Sequence, residues 1–314
     1  MTDEASRRPR AVGRRIGYRG LPSGVRGWVE ARFGPVRVLR DHVGGMSAGC
    51  ATSLRTADGD DLFVKAVGVE VNEQTVDLFR QEVRLLRRLA PVAYRPALRD
   101  AFDRDGWVAL ALAHVPGRYP DLAADADFAA VARTVEAQIA ELTPAPDGTD
   151  VPPLAVTAER WSSRWDGMAA DPGRYLPAWA AARFDELRRR VRDLPAQLPG
   201  TTLCHFDVRD DNLLIRDDGR AVILDWGMAR LGPEWTDQVL LAVQRDTPVA
   251  AEYWLRRRVP PAARDTVTAL LVAFGGSQAW NAQQPARPSL PALPAFCRDD
   301  AERLLSLARL RLGA

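Results

Sequence analysis

At 314 residues, 46% of them hydrophobic, the chain has enough apolar content for one large core or two moderate ones. No apolar run approaches the ~18 residues that span a bilayer, and the Arg-rich start lacks the apolar segment of a secretory signal. A cytoplasmic protein without a membrane partner is expected. Net charge is only +2, and Cys50, Cys204 and Cys297 are far apart, odd in number and form no Cys-x-x-Cys pair, so neither a disulfide framework nor a structural zinc site is indicated.

Residues 1–40 hold ten arginines against Asp3, Glu4 and Glu30. Without interleaved aromatics or a binding motif, residues 1–24 read as a flexible basic arm, and no nucleic-acid partner is expected. Strand-like runs at 36–43 and 50–56 flank Gly44-Gly45-Met46-Ser47-Ala48-Gly49. Glycines there let the backbone approach phosphates and aim amide groups at them, although many Gly-rich loops are only loops. Next comes Leu62-Phe63-Val64-Lys65-Ala66-Val67. Of 43 basic residues, Lys65 is the one lysine. A compact ammonium on a slim stem suits a narrow phosphate cleft better than a planar guanidinium does; a lysine snorkelling from an edge strand is the bland alternative. Val76, Phe79, Val83 and Leu86 then recur at helical spacing, predicting a helix over 72–90 that Pro91 ends. Glu82 lies beside that stripe, either paired with Lys65 or simply exposed.

Residues 118–314 read as mainly helical, with helices at 125–142, 155–168, 176–194, 235–244, 249–258, 262–282 and 298–312, and Pro-rich linkers at 143–153 and 285–294. The acidic residues from Asp121 to Asp171 outnumber the arginines among them. They read either as a site for a polyamine-like cation or as solvated helix faces. Trp235, Tyr253, Trp254, Phe274 and Trp280 read as helix-packing core or as platforms for a ring.

The most specific signal is His205-Phe206-Asp207 with Asn212 five residues beyond Asp207, followed by Asp225-Trp226-Gly227. With three His, three Asn and 29 Asp, a shuffled chain would show His-x-Asp-x-x-x-x-Asn only about 3 times in 1000, so chance is a poor account. Phosphoryl transfer requires a carboxylate to orient and deprotonate the acceptor hydroxyl, and Asp207 stands where that base belongs. The Asn212 amide oxygen and an Asp225 carboxylate oxygen suit a hard cation such as Mg²⁺. Two apolar runs, 213–215 and 221–224, around Asp217-Asp218-Gly219 predict a hairpin that holds Asn212 and Asp225 on one rim.

The series of glycine loop, strand lysine, helix glutamate, His-x-Asp-x-x-x-x-Asn and Asp resembles the protein-kinase-like enzymes. Its Leu-Asp-Trp run is closer to the aminoglycoside phosphotransferase and choline kinase branch. The resemblance implies an α+β bilobal protein-kinase-like fold over roughly residues 36–245, with a small antiparallel-sheet N-lobe carrying one helix and a larger, mainly helical C-lobe. It places the N-lobe at 25–113, a hinge at 114–117 and the C-lobe at 118–314. It further implies that Gly44, Gly45, Ser47, Lys65, Glu82, Ala113 and Val115 hold ATP or GTP, that Asn212 and Asp225 hold Mg²⁺, and that Asp237 braces the catalytic loop. The family's usual His-Gly-Asp is His-Phe-Asp here, which Phe206 suits if its φ stays negative. The expected activity is transfer of the γ-phosphoryl group to a hydroxyl of a small molecule, an antibiotic or related natural product, by a monomer or homodimer. The alternatives are a housekeeping kinase for an amino alcohol, sugar or nucleoside, and a nucleotide-binding module without turnover.

Overall fold

The computed structural model describes residues 13–313. A helix α1 (Ser23–Phe33) precedes three strands, β1 (Val36–Asp41), β2 (Cys50–Thr56) and β3 (Asp61–Gly68). Helix α2 (Val69–Arg88) follows, then β4 (Leu98–Arg104) and β5 (Trp107–Ala113). The five strands form one antiparallel sheet in the order β1-β2-β3-β5-β4. Asp105 and Gly106, at φ 52° and 76°, close the β4–β5 hairpin, the pair of positive φ values that a two-residue turn needs. Lys65 is therefore on a central strand, opposite Ala51 on one side and Leu110 on the other.

Side chains alternate along β3, and the two faces go to different cores. Leu62, Val64 and Ala66 pack with Val25 and Val29 of α1, whereas Val67 joins Val76, Phe79 and Val83 of α2. The expected single N-lobe helix is thus two, because one face of the sheet needs α1 to cover it. Residues 13–24, read from the sequence as part of a flexible arm, are packed: Tyr18 and Leu21 are buried, and Ile16 N donates to Gly49 O (3.1 Å). Residues 1–12 of that arm lie outside the described residues. Within α2, Asn72 departs from helical geometry, and its Oδ1 accepts from Thr75 N (2.8 Å) and Thr75 Oγ1 (3.0 Å). This caps the regular helix where the sequence predicts its start.

Beyond β5 the chain is mainly helical: α3 (Asp125–Glu141), α4 (Leu154–Gly167), α5 (Ala178–Ala181) and α6 (Phe184–Asp193). Four short strands come next, β6 (Thr202–Cys204), β7 (Leu213–Ile215), β8 (Ala221–Ile223) and β9 (Arg230–Gly232), then α7 (Thr236–Val243), α8 (Pro248–Arg258), α9 (Arg264–Ala282) and α10 (Leu293–Leu312). Strands β7 and β8 form the expected hairpin, and β6 pairs with β9. The helix predicted over 176–194 is broken at Arg183 (φ −113°, ψ 21°), whose guanidinium bonds Glu186 twice at 2.9 Å in the first turn of α6. Helix α10 begins five residues before the predicted 298, with Pro294 in its first turn, a position that lacks an N–H partner anyway. The 285–294 linker also reaches back to the sheet side: Ser289 O accepts from Arg14 N (2.8 Å), and Ser289 Oγ accepts from Asn72 Nδ2 (3.0 Å). Among the described residues no helix is long and apolar enough to cross a membrane.

Candidate active site

The β3 register and the α2 stripe together bring Lys65 and Glu82 into contact. Glu82, 1% exposed, forms an ion pair with Lys65 and also accepts from Trp226 N (3.3 Å). Lys65 Nζ lies 2.9 Å from Asp225 Oδ1 and 4.9 Å from the centroid of the Phe79 ring. Burial opposes the ammonium, but Asp225 and Glu82 outweigh it and hold the Lys65 pKa above its ordinary value. Burial pushes Glu82 upward against the pull of Lys65, whereas Lys65 keeps the more open Asp225 below the usual carboxylate range despite burial. Two carboxylates thus hold one buried cation in place.

The turn that presents Asp225 is itself held by α2. Asp225 sits at φ 60°, and Gln81 Nε2 donates to Gly227 O (2.8 Å) and Ala229 O (3.1 Å). Sequence reading missed Gln81, since a polar residue beside an apolar stripe carries no signal of its own.

The loop after β6 carries Asp207. Asp237 of α7, 1% exposed, accepts from His205 N (2.6 Å), Phe206 N (2.9 Å) and Gln138 Nε2 (2.7 Å), which is the bracing expected of it. Fully buried His205 places Nε2 2.7 Å from Leu224 O and Nδ1 3.3 Å from Asp207 N. That network assigns the proton to Nε2 and leaves Nδ1 as the acceptor. His205 therefore ties the Asp207 loop to the Asp225 loop. Asn212 Nδ2 donates to Asp207 Oδ2 (2.7 Å) and Asp207 O (3.0 Å), so its amide oxygen is the atom left for another ligand. Arg209, also missed from the sequence, lies buried with Nε 3.4 Å from Asp207 Oδ1 and 2.8 Å from Asp211 Oδ1.

Phe206 contradicts its expected backbone. Its φ is +64°, the left-handed region that glycine adopts freely and that costs other residues roughly 1–2 kcal/mol. The ring compensates: it is 5% exposed and stacks on Trp161 (6.1 Å) and Phe274 (6.2 Å). Phe206→Gly and Phe206→Ala both lose that stacking, but only Gly relieves the backbone. Chemical denaturation is expected to rank Gly above Ala by about 1 kcal/mol, the reverse of the usual order in regular structure. An Ala variant at least as stable as Gly would show that the strain is absent.

Two clefts meet at Asp225. The first, about 610 Å³, is lined by Gly44, Gly45, Ser47, Lys65, Ala113, Val115, Asn212 and Asp225. It therefore gathers every predicted nucleotide and metal residue except Glu82, which lies behind Lys65. Gly45 and Gly49 bend the loop at φ 94° and 100°, and a Cβ on Gly49 would stand 2.2 Å from Ala66 O. Arg15, expected in the arm, lines this cleft too and donates to Gly44 O. Burial lowers the Arg15 pKa, with Asp225 opposing.

The second cleft, about 630 Å³, contains Asp207 and shares Met46, Ser47 and Asp225 with the first. Of the five aromatics named from the sequence, Phe274 lines it; Trp280 stacks on Tyr175 (4.9 Å) and Trp254 packs on Phe128 (4.9 Å). None of the acidic side chains between Asp121 and Asp171 contributes to its lining. Asp125, Asp127, Glu136 and Asp166 instead pair with Arg245, Arg118, Arg258 and Arg188. Asp300 does line it, missed from sequence; burial pushes it up to about 6, although Gln278 Nε2 donates to it at 2.6 Å.

A five-stranded sheet set on a helical body, with a glycine loop, a strand lysine paired to a helix glutamate and a braced Asp loop at their junction, is a protein-kinase-like architecture. The model of the phosphotransferase enzyme family known as APH matches residues 51–281, and the chain belongs to that family. It is a small-molecule kinase acting on hydroxyl groups.

Solved structures agree on the fold. The chain superposes on aminoglycoside phosphotransferase APH(4)-Ia, in ternary complex with ADP and hygromycin B, at TM-score 0.61 and 17% identity, covering 91% of this chain and 98% of that one. Choline kinase LicA from Streptococcus pneumoniae gives 0.57 at 13% identity, covering 90% and 98%. Amicoumacin kinase hAmiN, in complex with AMP-PNP, Ca²⁺ and Ami, gives 0.54 at 13%, covering 90% and 93%. No curated protein sequence gives a match.

Proposed function

We propose that the chain transfers the γ-phosphoryl group of ATP or GTP to a hydroxyl of a small molecule, an antibiotic or related natural product. One observation carries the reading: Lys65, Asn212, Asp225 and Asp207 converge where the two clefts meet. The nucleotide lies in the first, with adenine or guanine against the backbone of Ala113 and Val115, residues 114–117 as the hinge between lobes, and phosphates under Gly44, Gly45 and Ser47 beside Lys65. The acceptor enters the second.

Asp207 orients the acceptor hydroxyl and takes its proton. The oxygen bonds to the γ-phosphorus as the bond to the β–γ bridging oxygen breaks, the nucleoside diphosphate leaves, and the proton passes to solvent on product release. The Asn212 amide oxygen and the Asp225 oxygen not engaged by Lys65 form a two-oxygen donor set. A Mg²⁺ site completed by phosphates needs no more, and the ion would supply charge neutralisation on the phosphate oxygens. The natural-product acceptor draws support from the complexes of the neighbours with hygromycin B and Ami.

Incubation with Mg–ATP or Mg–GTP and a panel of antibiotics and small alcohols, read as mass gain of one phosphate on the acceptor, tests the proposal. A metabolite hit would replace the natural-product reading with the housekeeping one, and nucleotide binding without transfer to any acceptor would leave a binding module. Asp225→Ala is expected to abolish the Mg²⁺-dependent part of nucleotide affinity, roughly tenfold or more, as removal of one charge-assisted metal contact implies. Calorimetry with and without Mg²⁺ decides, and an unchanged metal requirement would remove Asp225 from the metal site.

A further inference from the structure

Helix α4 turns Thr157, Arg160, Trp161 and Arg164 toward the cleft that holds Asp207, the i, i+3, i+4, i+7 spacing of one helical face. Arg230 of β9 joins that lining and donates through Nε to Thr157 Oγ1 (3.1 Å). Many of the chain's guanidinium groups meet carboxylates, as Arg118 does Asp127 and Arg311 does Glu252. Among the described residues no carboxylate lies within ion-pair distance of Arg160, Arg164 or Arg230. Arg230, 6% exposed, spends Nη1 on the carbonyls of Met228 (3.0 Å) and Ala229 (2.7 Å). Arg164 donates through one nitrogen to Ser277 Oγ, and Arg160 stands without any such partner among those residues.

The cluster also repels itself. Burial pushes Arg230 down to about 10, with Arg160 adding to the shift. Burial likewise lowers Arg164, and Arg160 and Arg287 lower it further. The carboxylates that line the cleft are engaged elsewhere and none is within ion-pair distance of these three groups: Asp207 meets Asn212 and Arg209, Asp225 meets Lys65, Asp77 meets Arg80 and Asp300 accepts from Gln278. Beside the cations is an apolar surface, the half-buried Phe274 ring, backed at 5.0 Å and 14° by buried Trp161. Cations gathered beside an apolar surface and unpaired with carboxylates form a receptor for an anion.

We propose that the acceptor is an anion as well as an alcohol. Its hydroxyl reaches Asp207, its carboxylate or phosphate group is held by Arg160 and Arg164, and its ring or apolar portion lies against Phe274. This rests on the phosphotransferase reading and narrows it, away from the cationic acceptor that the acidic 121–171 stretch suggests.

The full chain with Mg–ATP is to be assayed on matched acceptors: aromatic hydroxy acids against their amides, sugar phosphates against the parent sugars, and aminoglycosides. Transfer is expected to favour the anionic member of a pair by roughly tenfold or more in kcat/KM, the scale of one charge-assisted hydrogen bond. Whether the acids or the phosphates respond identifies the oxyanion. Arg160→Gln and Arg164→Gln are each expected to raise KM for that acceptor about tenfold on the same ground, with Mg–nucleotide affinity unchanged. Inorganic sulfate, titrated against tryptophan fluorescence of the AMP-PNP complex, is expected to saturate in the wild type and to lose its effect in Arg164→Gln. Preference for neutral or cationic acceptors with KM unmoved by either substitution would overturn the proposal, as would a sulfate response that never saturates. Failure to bind nucleotide at all would instead sink the phosphotransferase reading, and sulfate titration of the nucleotide-free protein would then decide the anion site alone.

Discussion

Asp207→Asn is expected to cut phosphoryl transfer by roughly 10²–10⁴-fold, the range that a positioned general base contributes. Affinity for Mg–nucleotide should stay within about twofold of the wild type, because a group acting on the acceptor is not part of ground-state nucleotide binding. The structure supports this separation. Asp207 lines the second cleft, and the first cleft gathers Lys65, Asn212 and Asp225 without it. The amide replacement preserves the shape of the side chain and an oxygen that can accept from Asn212 Nδ2, now 2.7 Å from Asp207 Oδ2. Single-turnover kinetics and nucleotide calorimetry on one preparation give both readouts, and equal loss of both would refute its role as base.

Asp237→Ala is expected to be the most damaging change away from the reacting groups. Three donors converge on this carboxylate, the amides of His205 and Phe206 and the Gln138 side chain. Removing it leaves them buried without an acceptor, at about 1–3 kcal/mol each, so a loss of roughly 3–5 kcal/mol is expected once partial relaxation is allowed. Phe206 makes the site fragile, because its φ of +64° persists only while the surrounding bonds hold it. Denaturant unfolding should show the loss, and transfer should fall in whatever fraction remains folded. A change below about 1 kcal/mol, a value typical of an ordinary hydrogen bond, would mean that the loop holds its shape without Asp237.

The parts of the site that sequence revealed are those where chemistry dictates residue identity. His205, Asp207, Asn212 and Asp225 stand at a spacing that chance rarely produces, and Lys65 stands out because every other basic residue is Arg. The β7–β8 hairpin was equally legible, because Asp217-Asp218-Gly219 is a turn signal between two apolar runs.

What stayed hidden was carried by packing rather than pattern. The 13–22 segment and α1 contribute Tyr18, Leu21, Val25 and Val29 to the core, with Ile16, Trp28 and Phe33 packed against it, scattered among arginines and glycines, so periodicity did not reveal them. Arg15 went unnoticed for the same reason. The left-handed Phe206 was hidden because a large ring usually argues against positive φ, and only Trp161 and Phe274, distant in sequence, explain it. Arg160 and Arg164 carried no signal of their own, since a charge facing a cleft and a charge facing water look alike along the chain. The acidic residues of 121–171 were ambiguous until their arginine partners, most of them far away in sequence, came into view.

The most direct test is a crystal structure of the protein with Mg²⁺ and AMP-PNP. The account predicts Lys65 Nζ on the phosphate oxygens, Asn212 and Asp225 on the metal ion, the base beside Ala113 and Val115, and the γ-phosphate facing Asp207 across the junction of the clefts. A nucleotide bound elsewhere, or bound there with its phosphates touching neither Lys65 nor a metal ion on Asp225, would contradict it.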